Sequence, residues 1–129
     1  MIKFYLLFNS VLYIAFSLWC LIKPNETAKF LGYGFQNNSG KIEYLTIYVG
    51  LELGFAVFFA VSALYPSVRL AGLIFCVCIY TGAMVIRTGS TFLYGNASKV
   101  TYMIGGLEYT LGIIGIALLV NELRKETFL

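Results

Sequence analysis

Four near-continuous apolar stretches, residues 4–22, 42–65, 70–94 and 100–120, govern what this chain can fold into. At about 1.5 Å of rise per residue, each matches the roughly 30 Å hydrocarbon core of a bilayer as a helix. A backbone in lipid has no water to bond, so apolar runs of this length satisfy their polar groups internally, as helices. The sequence therefore predicts an all-α fold: an integral membrane four-helix bundle, antiparallel up-down-up-down, with both termini on one side. The stretches lie too close together to leave room for a separate globular unit, so residues 1–129 read as a single membrane domain. Composition agrees, with 12% charged residues against about 25% in soluble domains.

The gaps carry the punctuation. Lys23 and Pro24 end the first stretch, and residues 23–41 form a polar loop with Gly32, Gly34 and Gly40 as turn formers. Within it, Glu26 to Leu31 is expected to make a short helix on the membrane surface, burying Phe30, Leu31 and Phe35 at headgroup level. Pro66 closes the second stretch, and the short link to Leu70 forces an antiparallel hairpin. Gly95 to Lys99 make a turn, and Asn121 to Leu129 read as a charged tail. Lys3 before the first stretch resembles a signal-peptide start. The apolar run exceeds the usual ~7 to 15 residues and no small-x-small pattern follows, so the helix reads as retained, with Trp19 as an interfacial anchor.

Orientation is balanced. Lys3, Arg69, Arg124 and Lys125 lie on the terminus side, against Lys23, Lys29, Lys41 and Lys99 on the other. The N-terminal helix and the adjacent Arg124-Lys125 pair tip the reading towards cytoplasmic termini in a bacterial inner membrane. Asn25, Asn37 and Asn96 begin N-x-[ST] patterns, which recur by chance in Asn-rich loops and are read that way.

Several chemistries are disfavoured. The net charge of +3 is scattered singly, so nucleic acid is not an expected partner. The sequence contains no histidine, the commonest general base and the usual haem and zinc ligand. Cys20, Cys76 and Cys78 form no C-x-x-C motif and read as small buried hydrophobes. No catalytic residue, metal or cofactor is expected, and the chain reads as a non-enzyme.

Three ionisable residues inside the stretches need a reason, since a charge at the membrane centre costs about 2.5 to 3.5 kcal/mol on insertion scales. Counted from the loop-side ends, Arg87 lies roughly 9 Å deep, Glu108 roughly 12 Å and Glu52 roughly 15 Å. They share a layer, and a carboxylate, guanidinium and carboxylate meeting between helices is the expected arrangement. Tyr44, Tyr48, Glu52 and Ala56 form an i, i+4 stripe that would set phenol donors above Glu52. Tyr80, Arg87, Ser90 and Thr91 make a comparable stripe in the third stretch. Thr101, Gly105, Glu108, Gly112 and Gly115 form one in the fourth, its small residues marking a helix contact. Gly50 and Gly54 are also read as packing positions, nearly opposite Glu52, and a homodimer would use that second face. Asn9 is expected to hydrogen-bond between helices, and Tyr33, Tyr65, Tyr94 and Tyr102 to sit in the aromatic belts.

With the helices placed, residues 5 to 120 resemble a bacterial four-helix membrane family, domain of unknown function 4345, related to the DoxX-like proteins. The resemblance rests on Tyr48-Val49-Gly50-Leu51-Glu52-Leu53-Gly54, Pro66, Arg69-Leu70-Ala71-Gly72-Leu73, Arg87 with Ser90, and Glu108 before a Leu-Gly run. The chain departs from it at Tyr48-Val49-Gly50, where the family shows Tyr-Gly-Gly, and at Glu43, where a basic or neutral residue is expected. The resemblance implies a DoxX-like bundle without an assigned activity, and a distant link to quinone-coupled sulfur redox systems.

Three functions compete. The leading one is a pocket at the charged layer, holding a small amphiphile, lipid or quinone, or a partner subunit. Glu52 and Glu108 would be acceptors, Arg87 the anion site, Tyr48 and Tyr80 the wall, and Ser90 a further contact. The second is a small proton-coupled transporter working through a buried carboxylate. The third is an accessory subunit of a quinone-linked redox system. Against all three stands a purely structural ion-pair lock that fixes helix register.

Overall fold

A computed structural model describes residues 1–127, with side chains through Lys125. Five α-helices follow one another: α1 (Ile2–Ile22), α2 (Pro24–Leu31), α3 (Asn38–Leu64), α4 (Arg69–Tyr94) and α5 (Lys99–Thr127). No strand occurs among the described residues. α1, α3, α4 and α5 are each long and apolar enough to cross a membrane, and the chain is a multi-pass membrane protein built as an all-α four-helix bundle. Its up-down order is visible at one end, where Lys3, Arg69, Asn121 and Lys125 line one cleft.

Local chemistry sets the boundaries. Pro24 occupies the first turn of α2, where its missing N–H loses no bond and its fixed φ suits the helix. α2 ends on Gly32 at φ +89°, with Gly32 N–H donating to the Lys29 carbonyl and Tyr33 N–H to that of Ala28. This paired capping requires the left-handed conformation that glycine adopts without strain. The short helix expected in this loop is therefore present, and it begins earlier than Glu26. The Asn37 side chain caps α3 by accepting from Gly40 N–H at 2.9 Å. α3 starts four residues before the apolar stretch for that reason, because a cap and not hydropathy decides where a helix begins. Tyr65 is extended, as the ring of the following Pro66 demands, and a 3₁₀ turn over Pro66–Val68 leads into α4. α5 continues past residue 120 to Thr127, so most of the expected charged tail is helix; Phe128 and Leu129 lie outside the described residues. Within this extension Glu122 and Lys125 pair at i, i+3, 2.9 Å apart, which favours the helix modestly.

α3 carries an irregularity that hydropathy does not report. Thr46–Leu51 form a π-helical segment, a wider turn that shifts the register of everything beyond it. Glu52 is the first residue after it.

Close approach holds the bundle together. α1 lies along α3, and α4 pairs with α5. The Ser10 hydroxyl donates to the Ala56 carbonyl at 2.8 Å, and the Tyr5 hydroxyl to that of Leu111 at 2.9 Å. At Gly72 an added Cβ would overlap the Ser62 side chain, and at Gly115 it would stand 2.5 Å from the Tyr5 hydroxyl. Glycine at these positions lets helices meet without the hydrophobic drive that lipid cannot supply. Gly112 is equally confined, its absent Cβ 3.1 Å from Met84 and 3.2 Å from Tyr80.

Asn9 links helices as expected. Its amide donates to the Tyr5 carbonyl at 2.8 Å, and its Oδ1 accepts from the Tyr80 hydroxyl at 2.5 Å. Both side chains are buried. Tyr80→Phe is expected to lower stability by about 1 kcal/mol, the order measured for single hydrogen bonds between membrane helices. Denaturant titration in micelles reads this directly, and an unchanged midpoint would mean that Asn9 finds another donor.

Candidate functional site

The charged layer assembles in part. The Arg87 Nε–H and Nη2–H donate to the two Glu108 oxygens, each at 2.6 Å. This fork-to-carboxylate geometry is the strong form of the ion pair. It fastens α4 to α5 beside a second link one residue further along each helix, the hydrogen bond between Thr88 and Tyr109. Gly105 makes room for it, since an added Cβ there would lie 2.9 Å from the Arg87 Cδ.

Glu52 is not part of this pair, and the expected triad is corrected to a pair plus one separate carboxylate. Among the described residues Glu52 has no hydrogen-bond or ion-pair partner. The reason lies in the packing: both Glu108 oxygens already occupy Arg87, while Glu52 follows the π turn on α3, the helix that pairs with α1. The expected phenol donors are also engaged elsewhere. The Tyr44 hydroxyl donates to Thr27 Oγ1 at 3.0 Å and lies 3.4 Å from Cys20 Sγ, and the Tyr48 hydroxyl pairs with that of Tyr33 at 2.9 Å.

Glu52 instead faces open space. A cavity of about 260 Å³ is lined by Phe16, Tyr33, Tyr48, Glu52, Arg87 and Glu108 among others. A second of about 180 Å³ extends it between α1 and α5, with Leu12, Tyr13, Tyr80 and Leu107 in its wall. The two share Phe16, Glu52, Ile104 and Glu108. The opening follows from how α1 and α5 are set: they meet where Gly115 admits Tyr5, and elsewhere their backbones stay apart. The result is a two-lobed cleft, more polar at its loop end and more apolar deeper in, with Glu52 and Glu108 in the walls of both lobes.

The remaining candidate residues divide. Tyr48 and Tyr80 line the lobes as expected. Ser90 does not; it lies in a separate groove with Thr91, Tyr94 and Ala97 that reaches Arg87 from the other side. Gly105, Gly112 and Gly115 are contact positions, whereas an added Cβ at Gly50 or Gly54 would meet nothing within 4 Å. Those two form an outward face of α3, not a contact within the chain. Cys20 and Cys76 are buried, but Cys78 is exposed on α4. Tyr33, expected in an aromatic belt, lines the loop-end lobe.

Sequence reading missed Tyr13, Phe16 and Ile104. A signal existed for the first two: Asn9, Tyr13 and Phe16 lie at i, i+4 and i+7, one face of a helix that begins with a buried polar group. Among the described residues no three His, Cys, Asp or Glu come together as a metal site would require. Comparison of the chain with family models, curated proteins and solved structures finds no match.

Proposed function

We propose that this chain is a non-enzymatic membrane protein that binds a small amphiphile, such as a lipid or quinone, in the cleft between α1 and α5. The observation that carries the reading is Glu52, a carboxylate at membrane depth with no partner and a cavity in front of it. An intramembrane acid without a countercharge is expensive, and its retention points to use. The more polar loop-end lobe suits a headgroup and the more apolar deeper lobe, with Leu12 and Leu107, suits a chain. Arg87, paired through two N–H groups with Glu108, serves to hold the wall. The lipid-facing opening admits a ligand from the bilayer of a bacterial inner membrane, with the termini in the cytoplasm.

Native mass spectrometry of the protein released from mild detergent tests the reading. Wild type is expected to retain a copurifying small molecule that Glu52→Gln loses, with both proteins equally folded because Glu52 supports no contact. Absence of any adduct on wild type, across extractions in different detergents, would defeat it.

A second reading is supported by the same observation. With Arg87 neutralised by Glu108, Glu52 is free to exchange a proton, as a small proton-coupled transporter requires. Proton flux in liposomes that disappears in Glu52→Gln would favour transport over simple binding.

A further inference from the structure

We propose that the headgroup selected by this cleft is cationic: a lipophilic ammonium held by the Glu52 carboxylate and the rings of Phe16, Tyr33 and Tyr48. The inference rests on the reading of the cleft as an amphiphile site and adds the charge of its occupant.

Charge balance is the first argument. Arg87 and Glu108 cancel in a bidentate pair, so Glu52 is the one carboxyl group of the layer without a countercharge of its own. In a poorly solvated setting an unmatched charge favours an opposite one far more than it does in water. An anionic headgroup would meet the carboxyl groups of Glu52 and Glu108, and a guanidinium already paired with Glu108.

The walls supply the second argument. Phe16 and Tyr48 stand 6.4 Å apart at 74°, and Tyr33 and Tyr48 stand 5.9 Å apart at 56°. Mutually inclined rings around a space present π faces and edges from different directions, and a cation is drawn to the faces. The Tyr33 and Tyr48 hydroxyls bond each other and Tyr44 packs against the Tyr48 ring at 4.6 Å, which fixes both rings in the cavity wall. A third argument is shape: the lobe with Leu12 and Leu107 continues from Glu52, so a chain attached to the headgroup has an apolar path. A single-chain ammonium amphiphile combines these features, and a hydrophilic amine would use only part of them.

The chain's single tryptophan is a built-in reporter. Trp19 stands 6.1 Å from Phe16, centroid to centroid, close enough for a bromine atom in the cleft to quench it. The test uses the protein in maltoside micelles and three amphiphiles with the same bromodecyl chain: a trimethylammonium, an alcohol and a sulfonate. The ammonium is expected to quench saturably, at least about tenfold more tightly than the sulfonate, which is the order of one charge-assisted contact. Glu52→Gln should weaken the ammonium by about the same factor, and Tyr48→Leu should weaken it while leaving the alcohol nearly unchanged.

Equal binding of all three probes, or a Glu52→Gln protein that binds the ammonium as wild type does, overturns the charge assignment and leaves the amphiphile site standing. If none of the three quenches saturably, the cleft is not an amphiphile site and the inference falls with it.

Discussion

Replacing Arg87 with alanine is expected to be among the most damaging single substitutions in this protein, lowering stability by about 3 to 5 kcal/mol. The loss is not that of a favourable contact alone. Glu108 would keep its charge at membrane depth without the two N–H donors that now meet its oxygens at 2.6 Å. Glu108→Gln should be milder, because it removes the stranded charge together with half the pair. Exchanging the partners, Arg87→Glu with Glu108→Arg, should restore much of the loss, and so should replacing both by methionine and leucine. Denaturant titration or thermal melting in micelles reads all of these. A melting midpoint unchanged in both single variants would show that the pair contributes nothing and that lipid or water substitutes for the missing partner. The contrast with Glu52 is informative. Glu52→Gln touches no bonded partner and should leave the midpoint unchanged or raise it, so the two carboxylates of the layer separate into a structural one and a free one.

Leucine at Gly72 is the second substitution with a large expected effect. Its side chain would begin where Ser62 already is, and α3 and α4 are joined too tightly, through Pro66–Val68, to part easily. Overpacking of this kind costs about 1 to 3 kcal/mol, and here the upper end is expected because the first atom beyond the backbone collides. Leucine at Gly54 offers the matched comparison, since an added Cβ there meets nothing within 4 Å. In an isolated chain Gly54→Leu should change stability by less than about 0.5 kcal/mol. Light scattering coupled to size-exclusion chromatography should accompany the melts. If Gly54→Leu dissociates an assembly or destabilises as strongly as Gly72→Leu, the Gly50 and Gly54 face is covered by a second copy. If it does neither, that face meets lipid.

Much of the architecture was legible before any coordinates. Length and hydropathy give the four crossings because a bilayer imposes a single thickness on every span and forbids unpaired backbone within it. Pro24, Gly32 and Pro66 mark boundaries because their backbone restrictions act locally, wherever the rest of the chain lies. Asn9 was recognisable as a linker between helices because an amide deep in an apolar stretch has no other way to be satisfied. That Arg87 would pair with a carboxylate of the layer was recognisable on the same argument; that Glu108 takes it and Glu52 does not was not.

The tertiary structure decided what depth and periodicity leave open. Depth places Glu52, Arg87 and Glu108 in one layer, but it does not say which helices touch, and Arg87 gives its Nε–H and Nη2–H to Glu108 alone. The π segment at Thr46–Leu51 breaks the stripe that appeared to set Tyr44 and Tyr48 above Glu52, because an i, i+4 pattern holds only while the turn keeps its width. Gly72 and Gly54 are indistinguishable as letters in apolar helices; one is pressed against Ser62 and the other faces outward. The sequence by itself determined the elements and the groups that need partners, since those follow from solvent and local geometry. Only the packing of four helices determined which groups found them, and it left Glu52 facing a cleft.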